Sequence, residues 1–242
     1  MKTIKIHPLA TSIVLSAMVL LGQRGAAQTN GAAVMSTPPL TMEEKEALYN
    51  TTVEDRTLKI MTALAMTDDA KSNRVHDAIA AQYHALKARD AAIEAELWNV
   101  AKGSTDWTQQ RNAMFPAMSQ PLHDHFVSTL AKDLTPEQMD IVKDRMTYGK
   151  VNFTYNAYCS ILPSLTDEDK AKVMDLLKQA REVAMDGGSS GEKTAIFQEY
   201  KAQINQYLTS RGFDVVKATQ EWSSRAEKKA SDGSSNSVPP SQ

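Results

Sequence analysis

The chain has 242 residues, 27 basic and 29 acidic, for a net charge of −2. That near balance excludes nucleic-acid binding by bulk electrostatics, and a hydrophobic share of 42% is enough to build one core. Aromatic residues are scarce at 6%, whereas Ala, Met, Lys and Glu abound, a composition that favours helix over sheet.

In chain order, the first stretch is "MKTIKIHPLATSIVLSAMVLLGQRGAAQ". Lys2 and Lys5 precede an apolar run from Ile13 to Leu21, and Gly25 and Ala27 supply the small residues before a cleavage at Gln28. This is the pattern of a secretory signal peptide over residues 1–27, too short and wrongly flanked for a stable membrane anchor. No cysteine follows it, which excludes lipid anchoring at that point. Removal leaves 24 basic against 29 acidic residues, a net charge of −5. The processed chain is expected to be soluble, in the periplasm or outside the cell. Its one cysteine, Cys159, can form no intramolecular disulfide and is expected to be buried.

Residues 28–40 read as a linker of small residues and prolines. Residues 228–242 hold almost no apolar side chains and read as a disordered tail. Between them, residues 41–227 form a single domain, expected to be all-α with six or seven amphipathic helices. The first runs from about Met42 to Met66. The second carries the clearest stripe, Val75, Ile79, Tyr83, Leu86, Ile93, Leu97 and Val100, at steps of three and four. Asp90 shares that stripe, where a carboxylate needs a partner, expected to be an arginine on another helix. A loop containing Gly103, Trp107, Pro116 and Pro121 then leads to a short helix with Leu122, Phe126 and Leu130. Further helices are expected over about 136–147, 152–162, 167–185, 192–211 and 214–226.

Three starts share one pattern: "LTMEEKEAL" at 40, "LTPEQMDIV" at 134 and "LTDEDKAKV" at 165. Thr41, Thr135 and Thr166 suit the N-cap, and Glu44, Gln138 and Asp169 the reciprocal third position of a capping box. Acidic residues in each first turn favour the positive end of the helix dipole.

The stretch "MDGGSSGEKT" at 185–194 nearly spells a phosphate loop, but Glu192 intervenes between Gly191 and Lys193. The preceding segment is amphipathic helix, with Val173, Leu176, Leu177, Ala180 and Val183, so the strand that a phosphate loop needs is missing. It reads instead as a helix hairpin. Gly187 and Gly188 are expected to close one helix in left-handed conformations, and Ser189 or Ser190 to cap the next. Ile196, Phe197, Tyr200, Ile204, Tyr207 and Leu208 make the returning stripe, which Gly212 ends.

The run "REVAMDGGSSGEKTAIFQEYKAQINQYLTSRGFD", with "KDRMTYGKVNFTYNAYCSILPSLTDEDKAKV" before it and "QYHALKARD" at 82–90, resembles a domain family of unknown function in exported bacterial proteins. That family is described as sugar-binding and accompanies polysaccharide-degrading enzymes. The resemblance covers about residues 56–225 and implies an exported, carbohydrate-associated helical domain with an oligo- or polysaccharide partner. It supplies no catalytic residues. A lesser resemblance, "LTPEQ" at 134–138, is to the L-T-x-x-Q motif of small periplasmic chaperones.

Polar side chains near the Gly-Ser turn suit sugar recognition, which uses planar hydrogen-bonding groups and aromatic faces. The candidates are Arg181, Asp186, Lys193, Lys201 and Asn205, with Tyr148 and Tyr155 upstream and Trp107 as a platform. The competing reading of Arg181, Asp186 and Lys193 is that they tie two helix ends together by ion pairs; Trp98 reads as a core anchor. His123 and His125 in "PLHDHF" point to different faces of a helix and cannot chelate one ion. No H-E-x-x-H, paired-cysteine or G-x-S-x-G pattern exists, so no metal, cofactor or catalytic residue is expected. The leading expectation is a non-enzymatic carbohydrate-associated domain, against a chaperone-like cradle or a polysaccharide-active hydrolase or lyase. The glycan and the oligomeric state stay open.

Overall fold

The computed structural model describes residues 39–234, with side chains through Lys228. The signal peptide, nearly all of the linker, and residues 235–242 of the tail lie outside the described residues. Every regular element among them is helical: α1 (Met42–Leu64), α2 (Asp69–Glu96), α3 (Thr105–Leu130), α4 (Pro136–Met146), α5 (Lys150–Ile161), α6 (Asp167–Ala184), α7 (Ser190–Ser210) and α8 (Val215–Ser234). The fold is all-α, with eight helices among the described residues where six or seven were expected. The last continues through Ser234, past the boundary that composition suggested at Lys228.

The helix starts follow from local chemistry. Thr41, Thr135 and Thr166 are all N-caps, each in a complete capping box with Glu44, Gln138 or Asp169. Each such cap is worth about 1 kcal/mol. Asp68, Ser104 and Ser189 cap α2, α3 and α7 through the side-chain acceptor alone, taking the backbone N–H of Lys71, Trp107 and Glu192.

Helix α3 departs from expectation. It runs unbroken through Pro116 and Pro121, where a loop was anticipated. Each proline removes one backbone donor and frees the carbonyl four residues earlier. Pro116, Pro121 and the residues four before them, Asn112 and Ala117, are all exposed, so water can satisfy the freed carbonyls. Trp107 therefore sits in the first turn of a helix rather than in a loop.

Two hydrophobic clusters fill the bundle. Helices α1–α4 enclose Val53, Ile60, Val75, Ile79, Phe126, Leu130 and Val142, and α5–α8 enclose Val151, Val173, Leu177, Ala180, Phe197, Ile204 and Leu208. A fully buried side chain of this size contributes roughly 1.5–3 kcal/mol. The expected stripe of α7 lies in or against the second cluster. Of the α2 stripe, Val75, Ile79 and Tyr83 lie in the first, while Leu86, Ile93 and Leu97 are buried outside both and Val100 falls beyond the helix. Val183 on α6 is exposed. The clusters meet at the end of α6: Ala184 belongs to the second, and the next residue, Met185, to the first. The polypeptide that follows, Asp186 and Gly187, is consequently buried between the two halves.

Candidate functional site

A turn buried between two apolar clusters must satisfy its backbone carbonyls without water. This chain does so with buried cations. Lys193, 2% exposed, donates from Nζ to the carbonyls of Ala184 and Met185, both at 3.0 Å. Arg89, 4% exposed, donates to the Asp186 carbonyl at 2.7 Å and to Ser119 Oγ at 2.8 Å. Burial pushes the Lys193 ammonium down to about 8, with Asp186 and Glu192 opposing the shift.

Arg89 also donates to Asp90 Oδ1 from Nε at 3.1 Å and from Nη2 at 2.7 Å. The partner of Asp90 is thus its own neighbour, not an arginine from another helix. The Arg89 guanidinium also covers Phe115, 4.4 Å from that ring's centre. Arg111 lies over the same ring at 5.0 Å and pairs with Glu192. Glu192 in turn accepts from the Gly188 amide at 2.7 Å, which fixes the start of α7.

Asp186 Oδ2 takes a 2.9 Å bond with His123 Nδ1, while Oδ1 is buried without a protein partner. The hydrogen bond to Asp186 raises the His123 pKa above its usual value, against a smaller opposing effect of burial. Glu182 flanks the pair, 4.0 Å from His123 Nε2 and 2.6 Å from Lys143 Nζ.

The glycines act differently from expectation. Gly187 and Gly188 are not among the residues with positive φ, which are Ala65, Gly103, Tyr148, Gly149 and Gly212. They are small because of what stands beside them. A Cβ on Gly188 would lie 1.8 Å from Asp90 Oδ2, and one on Gly187 would lie 3.0 Å from Lys193 Cγ.

Beside this locked turn, α2, α3 and the start of α7 leave a cleft of about 450 Å³. Trp107, Arg111 and Asn112 line it from α3, Asp90 and Glu94 from α2, and Ser189 and Glu192 from the turn. A second cleft, about 630 Å³, lies between α1 and α4 and reaches Tyr148 and Asn152.

The eight residues singled out in the sequence do not converge on one place. Trp107 lines the first cleft and Tyr148 the second. Asp186 and Lys193 lie in the buried turn beside the first cleft. Arg181 is spent on Asp140 at 2.5 Å and Asp144 at 2.7 Å, tying α6 to α4. Tyr155, Lys201 and Asn205 sit on the α5–α7 side. There Asn205 Oδ1 accepts from the Tyr158 hydroxyl at 2.7 Å, and a Cys159 hydrogen bond raises the Tyr155 phenol. Burial lowers the Lys201 ammonium. Cys159 is half-buried rather than buried, and Trp98 is 83% exposed rather than a core anchor.

Arg89, Ser119 and Arg111 were not read from the sequence as site residues, and His123 was weighed there only as a metal ligand. A signal existed for Arg89: it lies three after Leu86 and four before Ile93, on the apolar stripe itself. Ser119 and His123 likewise precede Phe126 and Leu130 at helical spacing. Among the described residues there is no group of three or more His, Cys, Asp or Glu that could hold a metal ion, and no helix is long and apolar enough to cross a membrane.

No curated protein matches this chain. The model of a family described as "Protein of unknown function (DUF3826)" matches residues 50–229, about three quarters of the sequence and nearly all of the helical bundle, and the chain belongs to that family.

Proposed function

We propose that this protein is an exported, non-catalytic domain that binds an oligo- or polysaccharide in the cleft between α2, α3 and the α6–α7 turn. The observation that carries this reading is the lining of that cleft, where the Trp107 indole stands among planar hydrogen-bonding side chains, Asp90, Arg111, Asn112 and Glu192. A sugar offers apolar C–H faces and dense hydroxyl pairs, and needs an aromatic surface beside such groups. The volume falls in the usual range for small-ligand sites.

Binding is favoured over catalysis because the charged groups of the cleft are already bonded in the free protein. Asp90 is paired with Arg89 and Glu192 with Arg111. Such pairs hold hydrogen-bonding edges in place and reduce the ordering cost of binding. Export rests on the signal-peptide pattern of residues 1–27.

A thermal-shift panel of neutral and acidic oligosaccharides tests the reading. A bound glycan at about 100-fold over its dissociation constant stabilises by roughly 2.7 kcal/mol, a shift of a few degrees. Loss of that shift in Trp107→Ala supports the site; no shift with any glycan refutes the function.

A further inference from the structure

The second cleft has a charge pattern that the first lacks. Eight arginines lie among the described residues, and six of them stand within ion-pair distance of a carboxylate: Arg74, Arg89, Arg111, Arg181, Arg211 and Arg225. The two that do not, Arg56 and Arg145, both line the cleft between α1 and α4, with the unpaired Lys59 beside them. The one carboxylate in the lining, Asp144, is already bonded to Arg181. In a chain with more acidic than basic residues, three cations without acidic partners around one hollow leave a local positive field.

The walls around them are built rather than loose. Arg56 lies over the ring of Tyr83, 5.7 Å from its centre, which fixes one side of its guanidinium. Tyr148 is held at φ 59, a left-handed conformation that costs a non-glycine residue roughly 1–2 kcal/mol. That conformation turns the chain between α4 and α5, so that half-exposed Tyr148, Gly149 and Asn152 border the cleft. Guanidinium groups recognise planar and tetrahedral oxyanions through parallel N–H donors, and tyrosine rings cover the apolar face of a cyclic carrier.

We propose that this cleft binds a small cyclic molecule through a carboxylate or sulfate group, with Arg56 and Arg145 as the oxyanion anchors and Tyr148 against its ring. The site is separate from the Trp107 cleft and does not depend on it.

Isothermal titration at low ionic strength tests it with four probes: a uronate trisaccharide, the matching neutral trisaccharide, a sulfated disaccharide and sodium sulfate alone. The expected result is binding of the uronate or the sulfated sugar, weakened by added salt and reduced about tenfold or more in Arg145→Gln. Whichever of the two binds identifies the source of the oxyanion. Arg145 is exposed and makes no ion pair, so its replacement leaves the fold intact; Arg56→Gln, which also loses the Tyr83 contact, is read only after its melting temperature is checked. The proposal is overturned if neither charged sugar binds, if Arg145→Gln binds as tightly as the parent, or if sodium sulfate alone binds as well as the sulfated sugar. Failure of the neutral sugar alone bears on the Trp107 cleft and leaves this one standing.

Discussion

Replacing Gly188 by alanine sets two effects of opposite sign against each other. The position is not in the left-handed region, so the added methyl costs nothing in backbone strain and by itself stabilises by about 0.4–1 kcal/mol through the unfolded chain. The methyl would however stand 1.8 Å from Asp90 Oδ2. To restore ordinary contact the carboxylate must move roughly 1.5 Å, which breaks its two bonds to Arg89. The Arg89 side chain is 2% exposed and cannot turn to water for compensation. Breaking a buried pair costs about 3–5 kcal/mol; the Asp90 side chain is 31% exposed, and Arg89 keeps Ser119 and the Asp186 carbonyl, so the lower figure applies. The expected net loss in Gly188→Ala is about 2–3 kcal/mol by urea denaturation. In an Asp90→Ala background the clash is absent, and the same change becomes neutral or slightly stabilising. A single variant within about 0.5 kcal/mol of the parent, or an equal loss in both backgrounds, refutes the steric argument.

Three further changes test other parts of the turn and its supports. Lys193 has a folded pKa of about 8 against 10.5, so the unfolded chain holds more protons between those values. Stability should therefore rise by up to about 3 kcal/mol as pH climbs from 8 toward 10.5, a rise that Lys193→Met abolishes in pH-dependent urea melts. His123 has the opposite sign: its folded pKa is raised, so its contribution is complete below pH 6.5 and is lost as pH rises through the folded value. His123→Gln should flatten that part of the stability profile, and NMR titration of the imidazole should show a midpoint above 6.5. Thr135→Ala removes the exposed N-cap of α4 and should cost about 1 kcal/mol in the same melts, with no effect on ligand binding.

The helices were legible because their causes are local. Thr135 and Gln138 bond to each other across one turn, and the stripe from Val75 to Leu97 repeats within a single element. The prolines of α3 misled because their cost depends on whether water reaches Asn112 and Ala117, which is a property of the folded surface. The candidate site was legible only in fragments. Asp186 and Lys193 were noticed as charges beside glycines, yet what holds them comes from far away: His123 lies 63 residues from Asp186, and Arg89 lies 97. Gly188 was read as a dihedral requirement because nothing in "MDGGSSGEKT" reveals that Asp90 approaches it from another helix. Tyr148, placed with the Gly-Ser turn from sequence, lines the cleft between α1 and α4 instead, a tertiary placement that no local pattern reveals.

The central claim, that a saccharide occupies the cleft at Trp107, is tested most directly through the tryptophan indole N–H signals. The chain has three tryptophans, Trp98, Trp107 and Trp222, and therefore three resolvable indole resonances by NMR. On titration with a binding oligosaccharide, the Trp107 signal should shift in a saturable way while the exposed Trp98 signal stays in place. Saturable binding that moves Trp98 or Trp222 and leaves Trp107 untouched would contradict the account.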